Sequence, residues 1–400
     1  MSVVEVSVGR SRWALSVRDQ DLVPVREAPD SPVRDARAAV VDALERPIRF
    51  ESFRRALTPD DRIALVVDES LPHLPELIAG VLEYLAGAGI PPSAVTAISP
   101  HGSAQSWVND LPETMADLQT EVHQPGDRRR LSYLAATKDG RRIYLNRTLV
   151  DADQAVVLTG RGYDPLLGYS GGEGSLYPAL ADTDTVRSLV PKLSPQAAPD
   201  DTWPTRAEAH EVAWLLGSPF FVQVIEGPAD EIASVVAGLA ESTADGADRQ
   251  NGRWKVTVPE AADTVVVTLS GDPARHDFAA LARAAAAGAR VVKPGGNVIV
   301  LSEADPELGG ATDVLRRTDE PPEAVRVLFR ERPADAAAAV QWAWAAGRAK
   351  LYLASEIRPT TVEEMFATPL AGPKDVQRLL NAPGRCLIVP DAHKTWLTLS

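Results

Sequence analysis

The run Gly168-Tyr169-Ser170-Gly171-Gly172-Glu173-Gly174 is the most glycine-dense segment of the chain. Glycine lets backbone amides approach a bound group and takes positive φ without steric cost, so such a loop can cradle an anion. The spacing is neither GxGxxG nor a Walker A loop, because no Lys-Ser/Thr pair follows, and a tight turn accounts for it equally well. Asp68, with Glu69 and Ser70, follows an apolar run at a position where a carboxylate either meets a ligand or caps a helix. His101, in Ser99-Pro100-His101-Gly102-Ser103, is a base, a ligand or a hydrogen-bonded loop histidine. Arg283 interrupts an alanine-rich stretch and either snorkels to solvent or clamps a substrate carboxylate. His73 and His393 read as surface positions. Six histidines without HxxxH or HExxH spacing give no readable metal site. The single cysteine, Cys386, excludes an intrachain disulfide and lies in the apolar run Cys386-Leu387-Ile388-Val389, where a buried thiol is expected.

The elements around these residues alternate between strand and helix. Arg62 to Asp68 reads as a strand buried on both faces, and Leu74 to Gly89 as a helix with Leu77, Ile78, Val81, Leu82 and Leu85 on one stripe. Val95 to Ser99 completes a βαβ unit. Strands are expected at 143–146 and 155–158, and a helix over 177–190. The segment 194–204, rich in proline and small polar residues, reads as a connector between domains at 1–198 and 206–400. Beyond it the pattern predicts a helix over 206–216, a strand over 220–225, a helix over 229–239, a strand over 264–269 and a helix over 276–287. Strands at 297–301 and 386–389, with a helix over 375–380 between them, close the chain. The fold class is therefore α/β, as two α/β domains with an interdomain cleft.

With 400 residues, 45% hydrophobic and 24% charged, the chain suits two globular domains. A formal net charge of −14 argues against nucleic acid and membrane surfaces as partners, and the cluster Arg128-Arg129-Arg130 reads as a solvated loop. A small anionic molecule remains compatible, since one buried arginine can hold it whatever the global charge. The start of the chain alternates like a strand and no apolar run reaches the ~18–20 residues of a membrane span, so a cytoplasmic location is expected.

In this order, the pieces resemble the nickel-dependent lactate racemase family. The resemblance runs through Asp61 to Asp68, Ala88-Gly89-Ile90, Gly140 to Arg147, Ala152 to Val156, Gly168 to Gly172, Val292 to Ile299 and Leu387 to Asp391. It implies two α/β domains closing on a nickel-pincer nucleotide, which takes a hydride from a 2-hydroxy acid and returns it to the opposite face. Two histidines, a tethering lysine, a nickel-binding histidine and basic carboxylate holders would serve it. Several matching positions differ here. The family's Asp-x-Thr-Arg becomes Asp68-Glu69-Ser70-Leu71, and its Gly-x-His becomes Gly102-Ser103-Ala104, with His101 nearby. The histidine of His-x-x-x-Gly becomes Asp164, the tethering lysine falls on Gly174, and no histidine stands near Val190. The Tyr-Gln pair falls on Ala279-Ala280, and the substrate lysine becomes Arg283, which keeps the charge.

The resemblance therefore implies a protein that binds a small anionic metabolite or nucleotide in its cleft, with the nickel-pincer reaction lost and its cofactor unknown. Gly171, Gly172 and Gly174 are expected to line the site, with Asp68, His101, Asp164 and Arg283 as polar contacts. Asp164 and His101 are the expected proton carriers. The alternatives are a hydroxy-acid racemase or epimerase using an untethered pincer cofactor, and a non-catalytic structural or regulatory protein.

Overall fold

The computed structural model describes residues 2–19, 22–23, 32–137, 140–196, 199 and 203–400. Two six-stranded sheets organise it. The first runs, edge to edge, through Ile232–Gly238, Phe220–Glu226, Gln154–Gly160, Ile63–Val67, Val95–Ser99 and Gln119–Val122. All neighbours pair in parallel except Ile232–Gly238, an antiparallel edge. The second runs through Ala367–Pro369, Lys350–Ala354, Val292–Leu301, Ala262–Thr268, Cys386–Val389 and Leu22–Val23, all parallel. The chain is α/β, as expected.

Parallel strands need helices on both faces, which is why Ile63–Val67 and Cys386–Val389 are apolar and buried throughout. Helix Leu74–Gly87 buries the predicted stripe of Leu77, Ile78, Val81, Leu82 and Leu85 against the first sheet. Helix Phe278–Val291 is buried on nearly all sides, between the second sheet and helix Ala336–Arg348. Its alanines permit that close approach.

Sheet membership does not divide at 198/206. Strands Phe220–Glu226 and Ile232–Gly238 complete the first sheet, so that domain runs past the connector. The hairpin Ser2–Val8/Ser11–Val17 instead packs Val6, Val8, Leu15 and Val17 on Val266, Ile299 and Ile388 of the second domain. Of the connector itself, residues 197, 198 and 200–202 lie outside the described ones. The helix expected over 229–239 is a strand: the turn at Gly227-Pro228 returns the chain antiparallel to Phe220–Glu226. The helix expected over 177–190 is confined to Thr183–Leu189, capped by Asp182, whose side chain accepts from Thr185 N–H at 2.7 Å. Among the described residues, no helix is long and apolar enough to cross a membrane.

Candidate interdomain binding site

Helix Phe278–Val291 carries two charged side chains, Arg283 and Arg290, on an otherwise apolar surface. Seven residues make about two turns, so both fall on the same face. That face meets the antiparallel pair Gly162–Asp164/Gly168–Ser170 of the first domain. Asp164, Arg283 and Arg290 line one small pocket with Tyr163, Ser194, Gln341, His393 and Trp396. Its free volume is about 10 Å³, room for roughly one water molecule.

The pocket is rich in donors and poor in acceptors. Arg290 gives one Nη2 bond to the Pro195 carbonyl at 2.9 Å, and its guanidinium lies 3.7 Å above the Trp396 ring. Its Nε is buried without a partner, and burial pulls the group down to about 9. Arg283 makes neither a hydrogen bond nor an ion pair among the described residues. The Trp396 Nε1 and His393 Nδ1 atoms are also buried without partners. Gln341, 5% exposed, makes no side-chain hydrogen bond among the described residues. The one carboxylate, Asp164, turns Oδ1 onto its own loop, accepting the Leu166 and Leu167 N–H groups at 2.8 and 2.7 Å. Burial pushes the Asp164 carboxyl up, against the opposing pull of those amides and of Arg283. Burial, reinforced by Lys394, His276 and Arg283, pushes the His393 imidazole well down, so it is neutral near pH 7. Its ring meets His276 edge-on at 5.2 Å.

Beside this pocket the two domains are bolted together. Arg275, from the second domain, donates from Nε and Nη2 to the Ser70 carbonyl at 3.1 and 2.6 Å. The same guanidinium pairs with Glu226 at 2.9 Å and Asp230 at 2.5 Å, and Lys394 reaches Glu226 at 3.0 Å. Burial works to raise the Glu226 carboxyl, but Lys394 and Arg275 outweigh it and hold it below its ordinary value. Asp391 ties in further elements, accepting from Ser270 N–H and Oγ at 3.1 and 2.7 Å and from Ala229 N–H at 3.1 Å.

The residues singled out in the sequence separate into four places. Asp164 and Arg283 share the pocket. Asp68 accepts from Ser70 Oγ at 2.6 Å and from Gly160 N–H at 3.0 Å, which fixes the loop after Ile63–Val67. Its neighbour Glu69 accepts from Ser103 Oγ and from Trp107 Nε1 at 2.8 Å. The glycines face protein atoms. A Cβ on Gly171 (φ +71°) would stand 1.9 Å from the Gly160 carbonyl oxygen, one on Gly172 2.5 Å from Arg161 Nη1, and one on Gly174 2.7 Å from Leu167 Cδ1. His101 is exposed, its Nδ1 3.2 Å from the His123 carbonyl, and does not line the pocket. The sequence reading missed Arg290, Gln341, Trp396 and His393; the last is half-buried in the pocket and not a surface residue. The seven-residue spacing of Arg283 and Arg290 was the available signal.

The pincer nucleotide implied by the resemblance does not fit these residues. The resemblance places the tether at Gly174, which has no amine, and the nickel ligand near Val190, where no histidine stands.

The model of the lactate racemase N-terminal domain matches residues 8–189. That stretch, somewhat under half of the chain, is similar to the lactate racemase N-terminal domain. The fold of this chain is similar, over 99% of its length and all of the other chain, to the lactate racemase apoprotein from Thermoanaerobacterium thermosaccharolyticum, with a TM-score of 0.80 at 18% identity. A protein from Thermotoga maritima is similar over 93% of this chain and all of its own, with a TM-score of 0.67 at 12% identity. At those identities the likeness is one of fold. A search of curated proteins finds no match.

Proposed function

We propose that this lactate racemase-like protein binds a small carboxylate between its domains, at Arg283 and Arg290, and has lost nickel-pincer racemisation. One observation carries the reading: the unpartnered donors of Arg290 and Trp396, with Arg283 beside them, face a single carboxylate, Asp164, whose Oδ1 is taken by its own loop. Buried donors left unmade cost about 1–3 kcal/mol each, more when charged, and a bound carboxylate would satisfy several at once. Gln341 and the Trp396 indole N–H would add neutral donors. The 10 Å³ of free space means that a ligand enters only when the domains part. Loss of racemisation is supported by Asp164 and Gly174 standing at the base and tether positions. A second reading is a proton transfer without nickel. His393, held neutral, and Asp164, shifted toward its protonated form, would be its base and acid.

Titration calorimetry of the full chain with lactate, pyruvate and acetate tests the binding. Saturable binding is expected, weakened about tenfold or more in Arg283→Gln. Absence of binding by all three, or an unaffected variant, overturns it. Conversion of one enantiomer of lactate into the other, with the α-deuterium of 2-deuterated lactate carried into the product, by protein purified from its own host would overturn the loss of racemisation.

A further inference from the structure

A second pocket lies between the loop at Pro125–Arg128, the strand Arg142–Asn146 and the segment 182–187, and shares no residue with the interdomain one. Its volume is about 770 Å³, so a metabolite enters without domain movement. Four arginines line it, Arg128, Arg141, Arg142 and Arg187, against two carboxylates, Asp182 and Asp184. In a chain of net charge −14 that is a local reversal of sign.

The carboxylates do not consume the guanidinium groups. Asp182 caps its helix through Oδ1 and meets Arg128 at 3.6 Å through Oδ2. Arg128 is also laid over the Tyr144 ring at 3.5 Å, which fixes its plane. Arg141 is anchored from outside the pocket: its Nη2 donates to the Tyr177 hydroxyl at 2.9 Å and pairs with Glu208, while its Nη1 is buried with no partner. Arg142 and Arg187 are exposed and have no carboxylate partner among the described residues. Hydrogen bonds from Arg142 and Arg128 lower the Tyr144 phenol, a sign of concentrated positive charge. One guanidinium held rigid with a donor to spare, beside two that no carboxylate neutralises, exceeds what a two-oxygen, singly charged carboxylate can satisfy. It matches a doubly charged group with three terminal oxygens.

We propose that this pocket binds a phosphorylated small molecule, its phosphate held by Arg141, Arg142 and Arg187. The test is equilibrium dialysis of the full chain with pyrophosphate and with AMP, against adenosine, at constant ionic strength. One saturable site for the phosphorylated probes and none for adenosine is expected. Arg142→Gln/Arg187→Gln, at two exposed positions, should keep its melting curve and weaken binding by about a hundredfold, near tenfold for each arginine. The absence of saturable binding, equal binding of adenosine, or a double variant that binds like the parent would overturn the proposal. None of these results depends on the interdomain site.

Discussion

Replacing Arg290 by methionine separates what the interdomain pocket does for stability from what it does for binding. The guanidinium's fall from its ordinary value to about 9, at 1.36 kcal/mol for each pKa unit, corresponds to roughly 5 kcal/mol spent on keeping the charge inside. Against this stand the charge-assisted bond to the Pro195 carbonyl, about 1.5–3 kcal/mol, and the contact with the Trp396 face, about 0.5–2 kcal/mol. The difference predicts that Arg290→Met, similar in length and apolar, is neutral to stabilising by roughly 0–3 kcal/mol, as replacements of buried ions by packed apolar groups often are. The same variant should lose carboxylate binding. Urea unfolding followed by tryptophan fluorescence gives the first quantity, provided near- and far-UV circular dichroism show one transition. Calorimetry gives the second. A variant destabilised by more than about 1 kcal/mol that still binds carboxylates like the parent would show that Arg290 serves packing and not a ligand.

Arg275→Ala should behave in the opposite way. It leaves Glu226 with Lys394 alone and frees the Ser70 carbonyl, at a cost of about 3 kcal/mol by urea unfolding. Small-angle scattering should also show a larger radius of gyration as the domains part; an unchanged midpoint and radius would remove the bolt as a determinant of closure. Because the folded Glu226 carboxyl lies below its ordinary 4.5, the network's contribution is present above about pH 4.5 and is lost as pH falls through the depressed folded value. The variant's stability should therefore depend less on pH in that acidic window. Gly171→Ala should cost about 3 kcal/mol or more, since a Cβ would overlap the Gly160 carbonyl in a left-handed backbone, whereas Gly102→Ala (φ +82°) meets no atom within 4 Å and should cost only about 1–2 kcal/mol. Equal urea midpoints for the two variants would refute the packing account of the glycine loop.

The parallel strands were legible because burial on both faces leaves an uninterrupted apolar run, as at Ile63–Val67 and Cys386–Val389. The strand Ile232–Gly238 was not, for a specific reason. Ile232, Val235, Val236 and Leu239 fall at i, i+3, i+4 and i+7, the spacing of a helical stripe. Pairing with Phe220–Glu226 overrides that periodicity, since an apolar strand at a sheet edge needs a cover. The hairpin Ser2–Val17 had a readable strand pattern and an unreadable destination, because nothing local says which distant sheet its apolar face will meet. His393 stands in Asp391-Ala392-His393-Lys394, which looks solvated. Yet Asp391 and Lys394 are buried and paired with Ser270 and Glu226, carrying the histidine inward with them. Long-range pairing of charges is what a linear pattern cannot display.

The glycine loop illustrates how a retained motif can outlive the reason for reading it as a site. Gly171 and Gly172 are required here by the chain itself, through the Gly160 carbonyl and the Arg161 guanidinium. Arg161 is 6% exposed, pulled by burial to about 10, and donates to the Thr243 carbonyl at 3.2 Å. Glu173, its electrostatic neighbour, accepts from Thr243 Oγ1 at 2.7 Å and meets His210 at 3.3 Å. Burial works to raise the Glu173 carboxyl, but the bonds from His210 and Thr243 and the charge of Arg161 win and lower it. The loop thus closes on a cation and an anion of its own chain, with only the Arg161 Nε of that pair left without a partner. At the Asp164–Arg290 pocket the reverse holds: positive charge and N–H donors outnumber the acceptors that face them. Charge balance therefore favours the second place as the proposed ligand site, and the Arg275 bolt to Ser70 is a contact that the proposed domain opening would have to release.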